Sequence, residues 1–123
     1  MILADTSVWI DHLRARNERM TQLLLAGQVL AHPFVIGELA LGNLRNRDEV
    51  LGALQDMPQA AVATEPEVLR FIEEKALFGL GIGYMDSHLL AAVLLTPGSW
   101  LWTRDKRLLA TSAQLGIAAS ITH

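Results

Sequence analysis

The stretch Ile2-Leu3-Ala4-Asp5-Thr6-Ser7 decides the fold of this chain. Its short apolar run stops at a carboxylate, which is typical of a buried parallel strand that delivers Asp5 to its carboxyl end. That edge is where ligands bind in open α/β sheets. Thr6 and Ser7 offer N-cap oxygens for the amphipathic helix predicted over 8–13, so the chain turns away from the sheet directly after the acid.

The same arrangement of strand, acid and helix occurs near the other end of the chain. Trp100-Leu101-Trp102 is a continuous apolar run that leads through Thr103 to Asp105, and a helix is predicted over 106–113. Two acids at strand ends can converge on one edge of a parallel sheet. For Asp5 or Asp105 taken singly, capping of the next helix is at least as good an explanation as catalysis.

Two further acids lie on helix faces that are expected to point to the core. In the helix predicted over 34–44, spacings of three and four put Glu38 on one face with Phe34, Val35, Leu41 and Gly42. Asp86 begins the apolar stripe of a helix predicted over 84–95. Neither acid has a Lys or Arg at helical spacing, so a simple ion pair on the same helix does not explain either one.

The rest of the chain alternates between strands and helices. Further strands are predicted over 29–31, 60–63 and 117–121, and further helices over 20–26, 47–57 and 64–77. Pro33 suits a first helical position, and Thr64 with Glu67 fits a capping box. The alternation predicts an α/β fold with a parallel sheet covered on both faces. We expect a single domain over residues 1–123, since this length suits one core.

The four acids predict a metal site where they meet. Carboxylates buried together lose hydration and repel one another. A hard divalent cation such as Mg²⁺ or Mn²⁺ removes that cost and prefers oxygen ligands. Such a site supports metal-assisted hydrolysis of a phosphodiester, which needs no protein nucleophile.

Composition excludes several classes of protein. The chain has no cysteine, which excludes disulfides, thiolate zinc sites and cysteine nucleophiles. It has no apolar run long enough for a membrane span and no basic, apolar leader, so a cytoplasmic protein is expected. Its apolar share of 51% is high, which suggests that some apolar surface meets a partner.

A net charge of −3 argues at first against a nucleic-acid partner. Four of the thirteen acids are the candidate ligands, however, and the other nine face ten Lys and Arg residues. Arg14, Arg104 and Lys106 flank two of the candidate acids in sequence and are possible RNA contacts. A solvated surface is the default interpretation of each.

The remaining polar and aromatic residues give weaker signals. His12, His32, His88 and His123 lack metal-ligand spacing and are predicted to be surface residues or to support the acids. The tryptophans are interpreted as core residues in preference to base-stacking ones. Thr6, Ser7 and Thr103 are possible supporting residues, with capping as an equal alternative for Ser7 and Thr103.

Taken in order, four segments resemble the PIN domain, specifically the VapC toxins of bacterial type II toxin–antitoxin systems. The segments are Asp5-Thr6-Ser7 after the first strand, Ile36-Gly37-Glu38-Leu39-Ala40-Leu41-Gly42, Gly81-Ile82-Gly83-Tyr84-Met85-Asp86-Ser87-His88-Leu89-Leu90-Ala91-Ala92, and Leu101-Trp102-Thr103-Arg104-Asp105. Each motif is short, but together they cover nearly the whole chain in the order and at the separations typical of the family.

The resemblance implies a three-layer α/β/α sandwich around a parallel sheet of four to five strands. It also implies an Mg²⁺- or Mn²⁺-dependent endoribonuclease in which Asp5, Glu38, Asp86 and Asp105 are the catalytic and metal-binding acids. Thr103 matches the Ser or Thr that often precedes the last acid. The expected partners are RNA, a VapB-type antitoxin and a second copy of the chain, with a larger toxin–antitoxin assembly also possible.

Two alternatives to a metal-dependent nuclease are a different phosphoryl-transfer protein and a protein without catalytic activity. An aspartyl-phosphate phosphatase would want a second Asp two residues after Asp5, where Ser7 stands, and no phosphoryl-accepting centre of the receiver type can be placed. A non-catalytic PIN-fold module that binds RNA or a partner is the alternative from a different class. Such a module has no physical reason to keep four mutually repelling carboxylates.

Overall fold

Three parallel strands form the sheet, and β1 (Ile2–Ala4) lies between β2 (Val29–Leu30) and β3 (Trp100–Trp102). In the register of the sheet, Leu3 is paired with Leu30 on one side and with Leu101 on the other. Successive strand side chains point to opposite faces, and both Leu3 and Ala4 are fully buried. The sheet is therefore covered on both faces, as the sequence predicts.

The computed structural model describes residues 1–121. Its helices are α1 Thr6–Arg14, α2 Glu18–Leu25, α3 Pro33–Ala40, α4 Arg47–Asp56, α5 Glu65–Glu74, α6 Tyr84–Leu95 and α7 Lys106–Gln114. Each lies where a helix is predicted. The capping box of Thr64 and Glu67 is formed at the start of α5.

The sheet is smaller than the four to five strands expected. Residues 60–63 and 117–121 are not strands, and each neighbourhood contributes a single bridge to the sheet, Ala31 with Gln59 and Leu101 with Ala118. The amide of Ala60 donates to Ala31 and the amide of Ala119 to Leu101, after which the pairing stops. Alanine-rich segments have little side chain to pack on a sheet, which explains why these ladders do not extend.

Helix α3 ends earlier than predicted. It stops at Ala40 instead of continuing to Leu44, and Leu41 is 86% exposed. The expected place of Leu41 on the core face with Glu38 is therefore wrong. Residues 41–46 instead form the connection between α3 and α4.

The core lies between the sheet and the helices. The largest fully buried side chains include Leu3, Met20, Leu90, Leu101 and Leu108. Trp9 and Trp102 are buried in this core as predicted, whereas Trp100 is 45% exposed, so its assignment to the core is wrong. Among residues 1–121, no helix is both long and apolar enough to cross a bilayer.

Candidate active site

Asp5 lies at the carboxyl end of β1 and is 5% exposed. Its Oδ1 accepts hydrogen bonds from the Val8 amide at 3.1 Å and from the Ser7 hydroxyl at 2.5 Å. Its Oδ2 accepts a hydrogen bond from the Thr103 hydroxyl at 2.5 Å. Asp5 therefore caps α1, and its carboxylate is also held in one orientation by two hydroxyl groups. The two explanations left open by the sequence, capping and site formation, apply together.

Asp105 follows β3 and caps α7 in the same manner. Its Oδ1 accepts from the Leu108 amide at 2.9 Å. Its own amide donates to the Thr103 hydroxyl oxygen at 3.0 Å, and the neighbouring Arg104 amide donates to Ser7 Oγ at 3.1 Å. These bonds join the ends of β1 and β3, so that Asp5 and Asp105 lie at one edge of the sheet.

Glu38 and Asp86 reach the same place from helices α3 and α6. Asp86 is in the first turn of α6, and its Oδ2 accepts from the Gly83 amide at 3.3 Å. Burial raises the pKa of the Asp86 carboxyl, and the charges of Asp5, Asp105 and Glu38 raise it further, while the Gly83 amide opposes the change. The other three acids are thus close enough to Asp86 to act on its carboxyl electrostatically.

All four carboxylates line one cavity of about 320 Å³. Its other lining residues are Thr6, Ser7, Phe34, Val35, Met85 and Leu89. No Lys or Arg is among these lining residues, so no basic side chain of the described chain neutralises the four acids inside the cavity. The cavity therefore combines apolar side chains with four carboxylates that no basic lining residue neutralises.

The chemistry of the donors fits a hard divalent ion such as Mg²⁺ or Mn²⁺. Within residues 1–121, no three His, Asp or Glu side chains lie close enough to ligate one ion directly as they stand. Mg²⁺ usually keeps several waters and is bound by only one or two carboxylates, so direct ligation by every acid is not required. The acids share a cavity without forming a closed cage.

The three supporting residues are all at this edge. Thr103 is fully buried between the two aspartates, whereas Thr6 and Ser7 are half-buried and line the cavity. Ser7 connects Asp5 with the β3–α7 connection through the bonds given above. Thr103 and Ser7 therefore orient the acids, and neither is merely a helix cap.

The three basic residues suggested as RNA contacts are exposed and occupy different positions. Arg104 forms an ion pair with Asp11 on α1. Lys106 is the first residue of α7, directly after Asp105. Arg14 lines a second cavity, which shares Glu38 with the first.

Of the two positions expected for the histidines, at the surface or in support of the acids, the surface position is wrong for His32 and His88, which are 0% and 3% exposed. His88 contacts the rings of Phe34 and Tyr84, with centroid distances of 4.5 and 4.7 Å. His32 Nδ1 accepts from the Phe34 amide and caps α3. Burial lowers the pKa of His32 to about 4, and the nearby His88 contributes. His12 is half-buried, and His123 lies outside the described residues.

The sequence reasoning missed the role of several apolar residues in the site. Phe34 and Val35 were placed on the face of Glu38, but their contribution to the cavity wall was not inferred, and neither was that of Met85 and Leu89. The available signal was position, because Met85 precedes Asp86 directly and Leu89 follows it by three residues on the same helix.

Comparison with known proteins agrees with this geometry. The family model described as the PIN domain matches residues 2–114. Two curated relatives, both called "Ribonuclease VapC32", come from Mycobacterium tuberculosis strains CDC 1551 / Oshkosh and ATCC 25618 / H37Rv. Each is 50% identical over 118 residues, which is 96% of this chain and 95% of the relative. The chain therefore belongs to the PIN-domain family, among the VapC proteins.

Proposed function

We propose that this protein is a metal-dependent endoribonuclease that acts as the toxin of a VapBC-type toxin–antitoxin module. The single observation that carries the proposal is the cavity lined by Asp5, Glu38, Asp86 and Asp105, with no Lys or Arg among its lining residues within 1–121. The 50% identity to proteins named as ribonucleases supports RNA as the substrate. We further propose that residues 1–123 form one PIN domain that acts in the cytoplasm, where its RNA substrate is.

The four acids would hold the metal, and two of them are held in position more firmly than the other two. Asp5 and Asp105 are fixed by the N-caps of α1 and α7 and by Thr103. Glu38 is exposed on α3, and Asp86 is half-buried with only the Gly83 amide as a hydrogen-bond donor among the contacts described. We infer that the two fixed aspartates define the position of the ion and that Glu38 and Asp86 adjust to it.

When bound, Mg²⁺ or Mn²⁺ would supply an activated water and offset negative charge on the phosphodiester. The chain's own residues then have positioning roles. Ser7 and Thr103 keep both oxygens of Asp5 oriented by donating to them. Phe34, Met85 and Leu89 provide an apolar wall that limits water on one side of the cavity and strengthens the electrostatic interactions within it.

The partners follow from the VapC relationship as proposals. We propose a VapB-type antitoxin as the cognate inhibitor and a homodimer as the functional unit, with a larger toxin–antitoxin assembly when the antitoxin is bound. Exposed apolar side chains, including Leu25, Leu41, Leu69 and Phe78, provide surface for such contacts.

The experiment incubates the purified protein with total RNA in Mg²⁺ or Mn²⁺, and with EDTA as a control. Cleavage is expected only with the metal, with 5′-phosphate and 3′-hydroxyl product ends. Asp5→Asn and Asp86→Asn should each abolish cleavage while circular dichroism remains that of the folded protein. Asp56→Asn, an exposed acid at the end of α4, is the matched control and should cleave normally.

Unchanged cleavage in Asp5→Asn or Asp86→Asn would contradict the assignment of the site. Binding of RNA without cleavage under all metal conditions would favour the non-catalytic module instead. Calorimetric titration with Mg²⁺ separates these cases, because only the carboxylate site predicts binding that is lost in Asp86→Asn.

A further inference from the structure

A second cavity adjoins the carboxylate cavity and is not used by the proposed chemistry. It has a volume of about 540 Å³ and is lined by residues that include Ile10, Leu13, Arg14, Glu38, Asn43 and Arg45. We call it the α1–α3 groove. Glu38 lines both cavities, so the groove and the candidate active site adjoin at that residue.

The groove contains two cations that are available to a ligand. Arg14 is the last residue of α1, and Arg45 lies in the connection between α3 and α4. Both are exposed, and within residues 1–121 neither forms an ion pair. Arg104, by contrast, is already paired with Asp11. Two unpaired guanidinium groups beside a hydrolytic centre are suited to phosphate oxygens, which Arg binds with two parallel hydrogen bonds.

The floor of the groove supplies an apolar contact. Ile10 and Leu13 are 43% and 40% exposed and are three residues apart on α1, so they lie side by side. The far wall is the 42–45 segment, where the Arg47 guanidinium donates to the Gly42 carbonyl at 3.3 Å. Exposed aliphatic side chains and two arginines that line the same groove suit the bases and phosphates of a nucleic-acid strand.

The size of the groove favours a single strand. Its volume is within the range of about 300–1,000 Å³ that encloses one small ligand, which is the scale of a nucleotide. RNA whose bases enter a pocket must be unstacked, so loops and single-stranded segments are the form that is recognised.

We propose that the α1–α3 groove binds the single-stranded RNA next to the scissile bond, with Arg14 and Arg45 on its phosphates and Ile10 and Leu13 against a base. This inference rests on the proposed ribonuclease function and adds a substrate-binding site to it. The strand passes Glu38 as it leaves the groove and enters the carboxylate cavity.

The test measures RNA binding without cleavage. The probe is a fluorescein-labelled oligouridylate of about ten nucleotides, and the protein carries Asp86→Asn so that it does not cleave. Arg14→Ala and Arg45→Ala are each expected to weaken binding about 3- to 10-fold at low salt and to reduce the slope of log K against log salt by about 0.7. Arg70→Ala, an exposed arginine on α5, is the matched control and should leave both quantities unchanged.

Kinetics of the otherwise wild-type chain give a second readout. Arg45→Ala is expected to raise KM for RNA with little change in kcat, because a contact to a phosphate that does not react contributes equally to substrate and transition state. Leu13→Asp should raise KM as well, since it places a charge that repels phosphate in the groove.

Three outcomes would overturn the inference. Unchanged RNA affinity in both groove variants would leave a protein segment as the occupant of the groove, with the ribonuclease proposal intact. An equal loss of RNA affinity in Arg70→Ala would show that the affinity depends on the net charge of the protein and not on the groove. Failure of the Asp86→Asn parent to bind the probe, together with absence of cleavage by the wild type, would overturn the groove and the ribonuclease proposal together.

Discussion

The Thr103 hydroxyl donates to Oδ2 of Asp5 at 2.5 Å, and its oxygen accepts the amide of Asp105 at 3.0 Å. One fully buried side chain thus connects the two strand-end acids of the candidate site. It fixes the separation of β1 and β3 at the edge where the cavity opens.

Thr103→Val keeps the shape of the side chain but removes the hydroxyl. The Asp5 carboxylate then loses a donor and the Asp105 amide loses its acceptor, so the free energy of unfolding should fall by about 1–3 kcal/mol. RNA cleavage should also fall, because Asp5 is freer to rotate. Urea unfolding measures the first effect. Thr103→Ser is the control and should retain most of both properties; equal stability of the Val and Ser variants would contradict this role.

Without divalent metal, Asp86→Asn should be more stable than the wild type. The raised pKa of Asp86 means that its ionised form is disfavoured in the fold, so the metal-free wild type should lose stability as the pH rises through that pKa. Without metal, Asp86→Asn should therefore be the more stable protein near neutral pH.

Added Mg²⁺ should reverse that order. At 100 times its Kd, a bound ion raises the free energy of unfolding by about 2.7 kcal/mol, and this gain should be largely absent in Asp86→Asn. Thermal unfolding with Mg²⁺ and with EDTA measures the difference. Asp56→Asn should respond to Mg²⁺ like the wild type, and an equal response of Asp86→Asn would argue against ligation by Asp86.

Acid should destabilise the protein partly through His32. Its pKa is lowered to about 4 in the fold, so between pH 6.5 and pH 4 the unfolded chain binds a proton that the folded chain does not. The unfolding free energy should therefore fall as the pH falls through this window, by up to about 3 kcal/mol from this group.

The comparison is between wild type and His32→Asn, which keeps a side chain able to cap α3. Urea midpoints at pH 7 and pH 5 should differ less in the variant than in the wild type. His12→Asn, at a half-buried histidine, should retain most of the pH dependence. An unaltered pH dependence in His32→Asn would show that His32 is protonated as readily in the fold as in the unfolded chain.

Ala76 adopts a left-handed backbone conformation, with φ of 50°, where α5 ends. The Leu77 amide donates to the Ile72 carbonyl at 2.9 Å across this turn. Glycine adopts this conformation without steric cost, but it also increases the entropy of the unfolded chain. Taking both effects together, Ala76→Gly should raise the free energy of unfolding by about 0.5–1 kcal/mol.

The control substitution is Ala53→Gly in the middle of α4, which should destabilise by about 1 kcal/mol because its conformation is helical. Urea unfolding shows whether each substitution raises or lowers the free energy of unfolding. Destabilisation by Ala76→Gly of the same size as by Ala53→Gly would contradict the strain assigned to Ala76.

The sequence identified the strand-end acids because an apolar run that stops at Asp5 or Asp105 is a local pattern. It also placed Asp86 correctly at the start of the apolar stripe of its helix, since helical spacing determines which neighbours share a face. The expected core-facing position of Glu38 is wrong, because Glu38 is exposed on α3. The prediction of additional strands at 60–63 and 117–121 is wrong. Strand pairing depends on the partner strand and on side-chain packing, and the sequence of a short alanine-rich segment indicates little about either.

The buried histidines and the groove show the limit of the same reasoning. His88 lacks metal-ligand spacing, but the ring that contacts it from α3, Phe34, is distant in sequence and is brought near only by the fold. The groove exists because α3 stops at Ala40, whereas the apolar positions at Leu41 and Leu44 favour a longer helix in the sequence. Neither the contact of His88 with Phe34 nor the groove can be predicted from neighbouring residues in the sequence.

The order of the strands in the sheet has a consequence for synthesis on the ribosome. The first strand made is the central one, and one of its two neighbours, β3, begins only at Trp100. A nascent chain that has not yet reached this segment lacks Thr103 and Asp105, so its Asp5 has no completed edge to join. Assembly of the candidate site is therefore completed only after Asp105 has been synthesised.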